Sequence, residues 1–436
     1  MQGHTVVDDA EAAVFLPRRN RDFSLLLAGS SASMLGSRVS ALAYPLLVLA
    51  ITGSPVIAGW ACFAAAAPTV LFYLPAGAVV DRCDPRRTML ICESMRGIAI
   101  TSVVVVMIFW HVSVTQLIVA AVAGQILEVF STLAERRFTQ SLVDPRNRAS
   151  ALARCEARTH IAIMVGRPLG AVLFATARAL PFMVDSLSFG VCVGALIRIR
   201  GRRGTPRSQR VSRHMLREMG EGLDWIRSRK FARMALPLTA GTTLLGQALI
   251  MIFLGEAHAD HLPYAAIGMI LACAGVGGAL GAAAASWLFR RFGYRLFSFQ
   301  LSVWIVTFAV LDFWTWRSLQ AAAIALTVLG FTGALGNVAL DMYVFSNASA
   351  TILARVMSTG NLISFGALAL GPLLGAILLR QYGVQHAILV LLIGSALLKL
   401  AARTAPPPRT QPDNSSPLRR HPRGRSRGGG SSVRAA

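Results

Sequence analysis

Carboxylates and guanidinium groups recur inside stretches that are otherwise almost wholly aliphatic. Glu128 stands in "AAVAGQILEVF", Asp185 in "LPFMVDSLSF", Glu156 and Arg167 in the run 150–177, and Arg38 among the serines of "AGSSASMLGSRVSALAY". A charge deep in a bilayer is costly, so it faces a partner or a water-filled cavity. Helical spacing sorts these residues into three stripes. Ser30, Ser33, Ser37, Ser40 and Tyr44 share one side with Arg38 beside them; Gln125, Glu128, Thr132 and Glu135 share a second; Glu156, His160 and Arg167 share a third. Three aligned stripes predict a central aqueous cavity, where a poorly hydrated carboxyl can exchange protons near neutrality. Glu128 is the first candidate to carry a proton, followed by Glu156 and Asp185. Static pairing is the competing role. Glu93 and Arg96, one turn apart, read as a structural pair, and Glu156 could be held by Arg38 or Arg167. Candidates to contact a substrate are Ser33, Ser37, Arg38, Tyr44, Gln125 and Arg167, joined from the second half of the chain by Thr243, Gln247 and Asn337. His160 has no ligand set around it and reads as a packing partner. The six cysteines show neither pairing nor metal spacing.

These groups need spans to carry them. The chain has 436 residues, of which 54% are hydrophobic and 14% charged, and its mean hydropathy is +0.57. That is membrane composition. No Asp, Glu, Lys or Arg occurs from Val39 to Val80, long enough for the end of one span and all of a second at roughly 20 apolar residues per span. Apolar runs bounded by charge, Pro and Gly predict twelve transmembrane helices in an all-α integral membrane protein. Six (23–51, 55–80, 88–111, 114–137, 150–177, 180–198) precede a polar loop, and six (235–256, 263–289, 296–315, 318–341, 355–379, 384–402) follow it. The expected domains are a tail over 1–22, a six-helix bundle over 23–198, a basic loop over 199–234, a second bundle over 235–402 and a disordered basic tail over 403–436. No cleavable signal peptide is visible, since Asp8, Asp9, Glu11, Arg18 and Arg19 interrupt the first twenty residues.

Arginines set the orientation. With the N-terminus inside, the cytoplasmic side collects Arg82, Arg86 and Arg87, then Arg136, Arg137, Arg146 and Arg148, then Arg290, Arg291 and Arg295; the outer loops keep Arg178, Arg317 and Arg380. This bias places both termini in the cytoplasm and the protein in the inner (plasma) membrane. The net charge of +23 therefore reads as topology, with no nucleic acid implied. In the central loop, Val211, Met215, Leu216, Met219, Leu223 and Ile226 recur at helical spacing, which fits an amphipathic helix on the leaflet or one packed on the protein.

The charge-dense segment "LPAGAVVDRCDPRRTML" separates the second and third runs. Gly77, Asp81, Arg82 and the pair Arg86 and Arg87 resemble the signature loop (G-x-x-x-D-R-x-G-R-R) of the major facilitator superfamily. "ITGSPVIAG", "LVDPRNRASALA" and "VGRPLGA" are similar to its drug-exporter branch, and the likeness covers roughly Phe23 to Ala402. Asp84 and Pro85 depart from the loop pattern but can still make a turn. The resemblance implies two six-helix bundles, Gly77 as a close-approach point, and Asp81 as a cytoplasmic latch facing the N-terminus of the eleventh helix, where unpaired N–H groups favour an anion. Gly166, Pro168 and Gly170 in the fifth span and Gly371, Pro372 and Gly375 in the eleventh resemble the exporter packing motif, with Arg167 where proline is usual. The fourth-span arginine of many exporters is absent, so the likeness implies no coupling through it. "GVGGALG" at 275–281 lacks the Lys and Ser/Thr of a nucleotide loop and reads as a packing face.

The combined expectation is a secondary transporter, not an enzyme, working by alternating access as a monomer. It would use no cofactor beyond the proton gradient, and its partners would be a small-molecule substrate, protons and the lipid bilayer. Proton-coupled export of a drug-like or natural-product compound leads. Acidic groups favour a cation, while Arg38 and Arg167 favour an anion. Proton-symport uptake of a nutrient is the alternative, and a membrane-embedded enzyme or sensor lacks any catalytic constellation.

Overall fold

Polar residues at the ends of apolar runs start the helices. Asp84 Oδ1 accepts the Arg86 N–H at 3.0 Å and Ser113 Oγ accepts the Gln116 N–H at 3.1 Å, while Pro55 and Pro85 occupy first-turn positions that need no donor. The computed structural model describes residues 21–143, 148–199, 215–292, 295–313, 319–347 and 350–403. Among these, the helices of the first half are α1 (Arg21–Thr52), α2 (Pro55–Val80), α3 (Pro85–Phe109), α4 (Val114–Leu142), α5 (Arg148–Thr176) and α6 (Leu180–Arg198). A short α7 (Met215–Ser228) precedes α8 (Lys230–Ala259), α9 (Tyr264–Phe292), α10 (Arg295–Phe313), α11 (Leu319–Asn347) and α12 (Ala350–Arg403). Within α12, Gly383 has φ 71° and ψ 179°, so two helices meet there. Glycine suits that position because a Cβ would strain a left-handed φ. Ten described helices are long and apolar enough to cross a bilayer, with Thr359–Ala402 counted as one and Met164–Thr176 in α5 falling short of the length. Large apolar side chains such as Ile98 and Leu187, each 70% exposed, cover the outside, as a hydrocarbon solvent requires.

The helices pack as two groups. In the first, α1 lies against α5 and α6, α3 against α4 and α6, and α2 against α4; in the second, α8 lies against α12, α9 against α11, and α10 against both α11 and α12. Matching small residues close the two groups. A Cβ at Gly166 would sit 2.5 Å from Arg38 Cβ, and Gly170 lies against the Val39 carbonyl; in the second group a Cβ at Gly371 would sit 2.5 Å from Gln247 Cβ, and one at Gly375 would sit 2.8 Å from Ala248 Cα. Gly277 and Gly281 on α9 likewise meet the α11 backbone at Thr327 and Phe331.

The groups meet along α2 with α12 and α5 with α9. At the end bearing Gly53 and Trp110, hereafter the far end, a Cβ on Gly59 would lie 3.1 Å from the Pro372 carbonyl, Gly268 touches Ala171, and Phe174 meets Tyr264 edge-on at 5.0 Å. At the near end, bearing Asp81 and Val143, no heavy atom lies within 4 Å of a Cβ built on Gly77.

α7 packs on α8 and α12, with Ile226 buried among Phe231, Tyr343 and Val356, which fits the second of the two expected placements, a helix packed on the protein. Val211 and the side chains of Met215, Leu216 and Met219 lie outside the described residues. Several helices also outrun their apolar cores: α4 reaches Leu142 and α11 reaches Asn347. The tails and most of the basic loop lie outside the described residues.

Candidate functional site

Packing α1 against α4 and α6, and α3 against the same two helices, turns polar side chains of these four helices towards one another. They line a cavity of about 270 Å³ where the two groups of helices meet. Ser37, Arg38 and Tyr44 face it from α1, Arg96 from α3, Gln125 and Glu128 from α4, and Asp185 from α6; Gln247, Leu368 and Pro372 close it from the second half. Tyr44 is fixed edge-on to Phe182 at 5.1 Å.

The charges are unevenly partnered. Glu128 Oε2 accepts from Arg96 Nη2 at 3.0 Å, and its Oε1 lies 3.8 Å from Arg38 Nη2. Arg96 also bonds Glu93 at 3.4 Å and Ser37 at 3.1 Å, and its guanidinium lies 4.6 Å from the centre of the Phe189 ring. Glu93 is buried behind the cavity and accepts from Ser33 at 2.6 Å and Ser131 at 2.5 Å. Asp185, 4% exposed, accepts from Ser40 at 2.5 Å and Ser37 at 3.3 Å, both hydroxyls. Towards the near end, Glu135 pairs with Arg158 at 2.6 Å and Ser30 at 2.7 Å, which ties α1, α4 and α5 together. Paired in this way, buried charge becomes tolerable.

Several candidate residues fall elsewhere. Ser33 does not line the cavity, because its side of α1 turns towards α3, where it donates to Glu93. Thr243 and Asn337 line a second cavity of about 280 Å³ within the second half, alongside Thr239 and Asp341, and only Gln247 of the three reaches the central one. The side chains of Glu156, His160 and Arg167 lie outside the described residues. Arg96 keeps the expected i, i+3 pair with Glu93 at 3.4 Å and also reaches across the bundle to Glu128 at 3.0 Å, a contact that the spacing alone did not indicate.

The charged loop also differs from expectation. Asp81 forms an ion pair with Arg137 of α4 at 3.4 Å and is 61% exposed, so among the described residues its partner belongs to the same half; most side chains at the start of the eleventh-span helix lie outside the described ones. No described heavy atom lies within 4 Å of a Cβ built on Gly77. Arg86 donates to the Leu196 and Ile197 carbonyls, each at 3.0 Å, and so caps the end of α6. Arg87 lies 3.9 Å from Asp84 on the surface, Arg82 is exposed, and Arg137 also bonds the Val80 carbonyl.

The family described as transmembrane secretion effector matches residues 12–424. The chain belongs to this family. It is a branch of the major facilitator superfamily, whose members are multi-pass membrane transporters and not enzymes. Among curated relatives, the multidrug efflux pump Tap of Mycobacterium tuberculosis is 24% identical over 266 residues, as is that of Mycobacterium bovis. The match covers 59% of this chain, which spans 63% of the length of those relatives. Solved structures share the fold at lower identity. A bacterial homologue of the iron transporter ferroportin, inward-facing, aligns with a TM-score of 0.67 at 17% identity over 89% of this chain and 99% of that one. The nucleoside transporter NupG aligns at 0.66 and 13%, over 88% of this chain and 98% of that one. A bacterial homologue of the lysosomal transporter Spinster, inward-facing and occupied, aligns at 0.66 and 14%, over 90% and 97%.

Proposed function

We propose that this transporter exports amphipathic organic cations in exchange for protons, by rocking its two halves about the central cavity. The observation that carries the reading is the cavity itself: it lies at the junction of the halves and is lined from both, with the halves packed together at the far end. The positive-inside bias makes the near end cytoplasmic in this reading. Counting α5 as a span and α12 as two about Gly383 gives twelve spans with both termini inside. The likeness to the Tap pumps supports export.

Charge bookkeeping supports the cargo and the coupling. Three acids (Glu93, Glu128, Asp185) and two bases (Arg38, Arg96) make up the described charged groups at and just behind the cavity wall, leaving one acid in excess. That excess favours a monovalent cation over an anion. The leading proton carrier becomes Asp185, ahead of Glu128. Neutralising Asp185 breaks no ion pair, whereas neutralising Glu128 would leave two guanidinium groups short of a counter-charge.

Everted vesicles loaded against ethidium, chloramphenicol and fluorescein, with and without a protonophore, test the reading. Protonophore-sensitive uptake of ethidium alone is expected. Transport that follows cargo out of everted vesicles with protons would indicate nutrient symport instead, and selective uptake of fluorescein would overturn the cation assignment.

A further inference from the structure

The central cavity holds two carboxyls in unlike surroundings, with one guanidinium able to serve either. Resting on the proton-exchange reading above, we propose that Arg96 is a two-position switch: it holds Glu128 when the cavity is empty and moves to Asp185 when an organic cation takes Glu128, releasing the Asp185 proton. Cargo and proton then exclude one another without sharing an atom.

Four observations support this. Arg96 Nη2 bonds both Glu128 Oε2 at 3.0 Å and Ser37 Oγ at 3.1 Å, and the same Ser37 hydroxyl reaches Asp185 Oδ1 at 3.3 Å. One hydroxyl therefore separates the guanidinium from the second acid. Arg96 Nε is buried with no hydrogen-bond partner, so the group is not saturated where it stands. Beneath it lies the face of Phe189, and attraction to a ring face tolerates sideways movement better than a directed hydrogen bond does. Glu93, fixed by Ser33 and Ser131, stays at the root of the side chain and supplies a common anchor. Glu128, 27% exposed, borders the cavity where cargo can reach it, whereas Asp185 is buried.

The groups facing Asp185 are few. They are Ser37, Ser40 and Tyr44 from α1, Arg96 from α3 and Glu128 from α4. Among the described residues, Arg96 is the positive charge that acts on Asp185. When a cation settles on Glu128 it replaces the attraction that held Arg96. The guanidinium turns past Ser37 to Asp185, whose O–H bond breaks; the electron pair stays on the carboxylate and the proton leaves to cavity water. One positive charge enters and one leaves. Protonation of Asp185 reverses each step and sends Arg96 back to Glu128, which expels the cation.

Proton release on ligand binding tests the switch directly. The full chain, purified in detergent with little buffer and a pH indicator, is titrated with tetraphenylphosphonium and with its anionic counterpart tetraphenylborate. Wild type should release about one proton per tetraphenylphosphonium bound and none with tetraphenylborate. Arg96→Gln should bind the cation at least as tightly, because Glu128 has lost a competitor, yet release about tenfold fewer protons, while Arg96→Lys restores part of the release. Should Arg96→Gln not fold, the charge-balanced double variant Glu93→Gln with Arg96→Gln carries the same test. Wild-type release in Arg96→Gln, or in the double variant, overturns the switch and leaves proton exchange standing. Binding to wild type without any release overturns proton exchange and the switch with it; absence of binding removes the cation assignment on which both rest.

Discussion

Asp185→Asn separates proton coupling from cargo handling. The substitution keeps the shape of the side chain and breaks no ion pair; its one oxygen can accept from Ser40, now at 2.5 Å, while the amide N–H that replaces the other oxygen donates to Ser37, now at 3.3 Å. Its cost to stability is about 1 kcal/mol or less, the worth of one adjusted hydrogen bond. The cost to coupling is total. Exchange of one monovalent cation for one proton moves no net charge, so the pH difference alone sets the cargo ratio at steady state. One pH unit corresponds to about 1.4 kcal/mol, hence a cargo ratio of about tenfold. In proteoliposomes with an imposed gradient of one unit, wild type should hold that ratio for ethidium, and Asp185→Asn should relax to about one while still exchanging labelled for unlabelled ethidium. Glu128→Gln is the contrasting perturbation. It removes the 3.0 Å partner of Arg96 and the 3.8 Å partner of Arg38, and leaving charge under-paired in a mostly buried site costs about 1–3 kcal/mol. Thermal unfolding in detergent should therefore place Glu128→Gln below Asp185→Asn. An Asp185→Asn protein that still sustains a tenfold gradient per pH unit would refute the argument from partners.

Three further outcomes follow from packing and topology. Gly170→Leu should lower the unfolding temperature by the equivalent of about 1–3 kcal/mol, because its side chain would meet the Val39 backbone, whereas Gly190→Leu, with nothing within 4 Å, should stay within about 0.5 kcal/mol of wild type. Asp81→Asn should change stability by less than about 1 kcal/mol, since its ion pair with Arg137 is exposed, yet slow transport with cargo affinity unchanged; an unaltered turnover in proteoliposomes would remove the loop from the gating cycle. Removing the residues after Arg403 should leave ethidium transport intact, and loss of transport would assign the basic tail a role in the cycle.

The sequence made the spans, the cavity and its charged lining legible because each depends on local information. A charge-free run longer than a bilayer is thick, such as Val39–Val80, has few alternatives to spanning helices, and polar stripes at helical spacing on α1 and α4 converge once those helices pack. The Gly-Pro motifs carried the contact points of α5 and α12 because only small residues allow such approach. Less legible was the choice among neighbours. A stripe defines a face, not the helix that meets it, so Ser33 could be aligned with Ser37 yet serve Glu93 while Ser37 serves Asp185. Arginine reach compounds this. Arg96 is long enough to keep its i−3 partner and also cross to α4, and no spacing rule encodes that. The loop shows the same: Asp81 pairs with Arg137 of its own half, and nothing in its spacing distinguishes that arginine from a helix end.

Distances across the two ends measure the central claim most directly. With the six native cysteines replaced, spin labels at Val79→Cys and Asn347→Cys report the near end, and labels at Ile51→Cys and Leu319→Cys report the far end; all four sites are exposed. Between ethidium-loaded and acidified cargo-free samples, the near-end and far-end distances should change in opposite senses. Distances at both ends that stay fixed under these conditions, in a protein that transports ethidium, would contradict rocking of the two halves about the cavity.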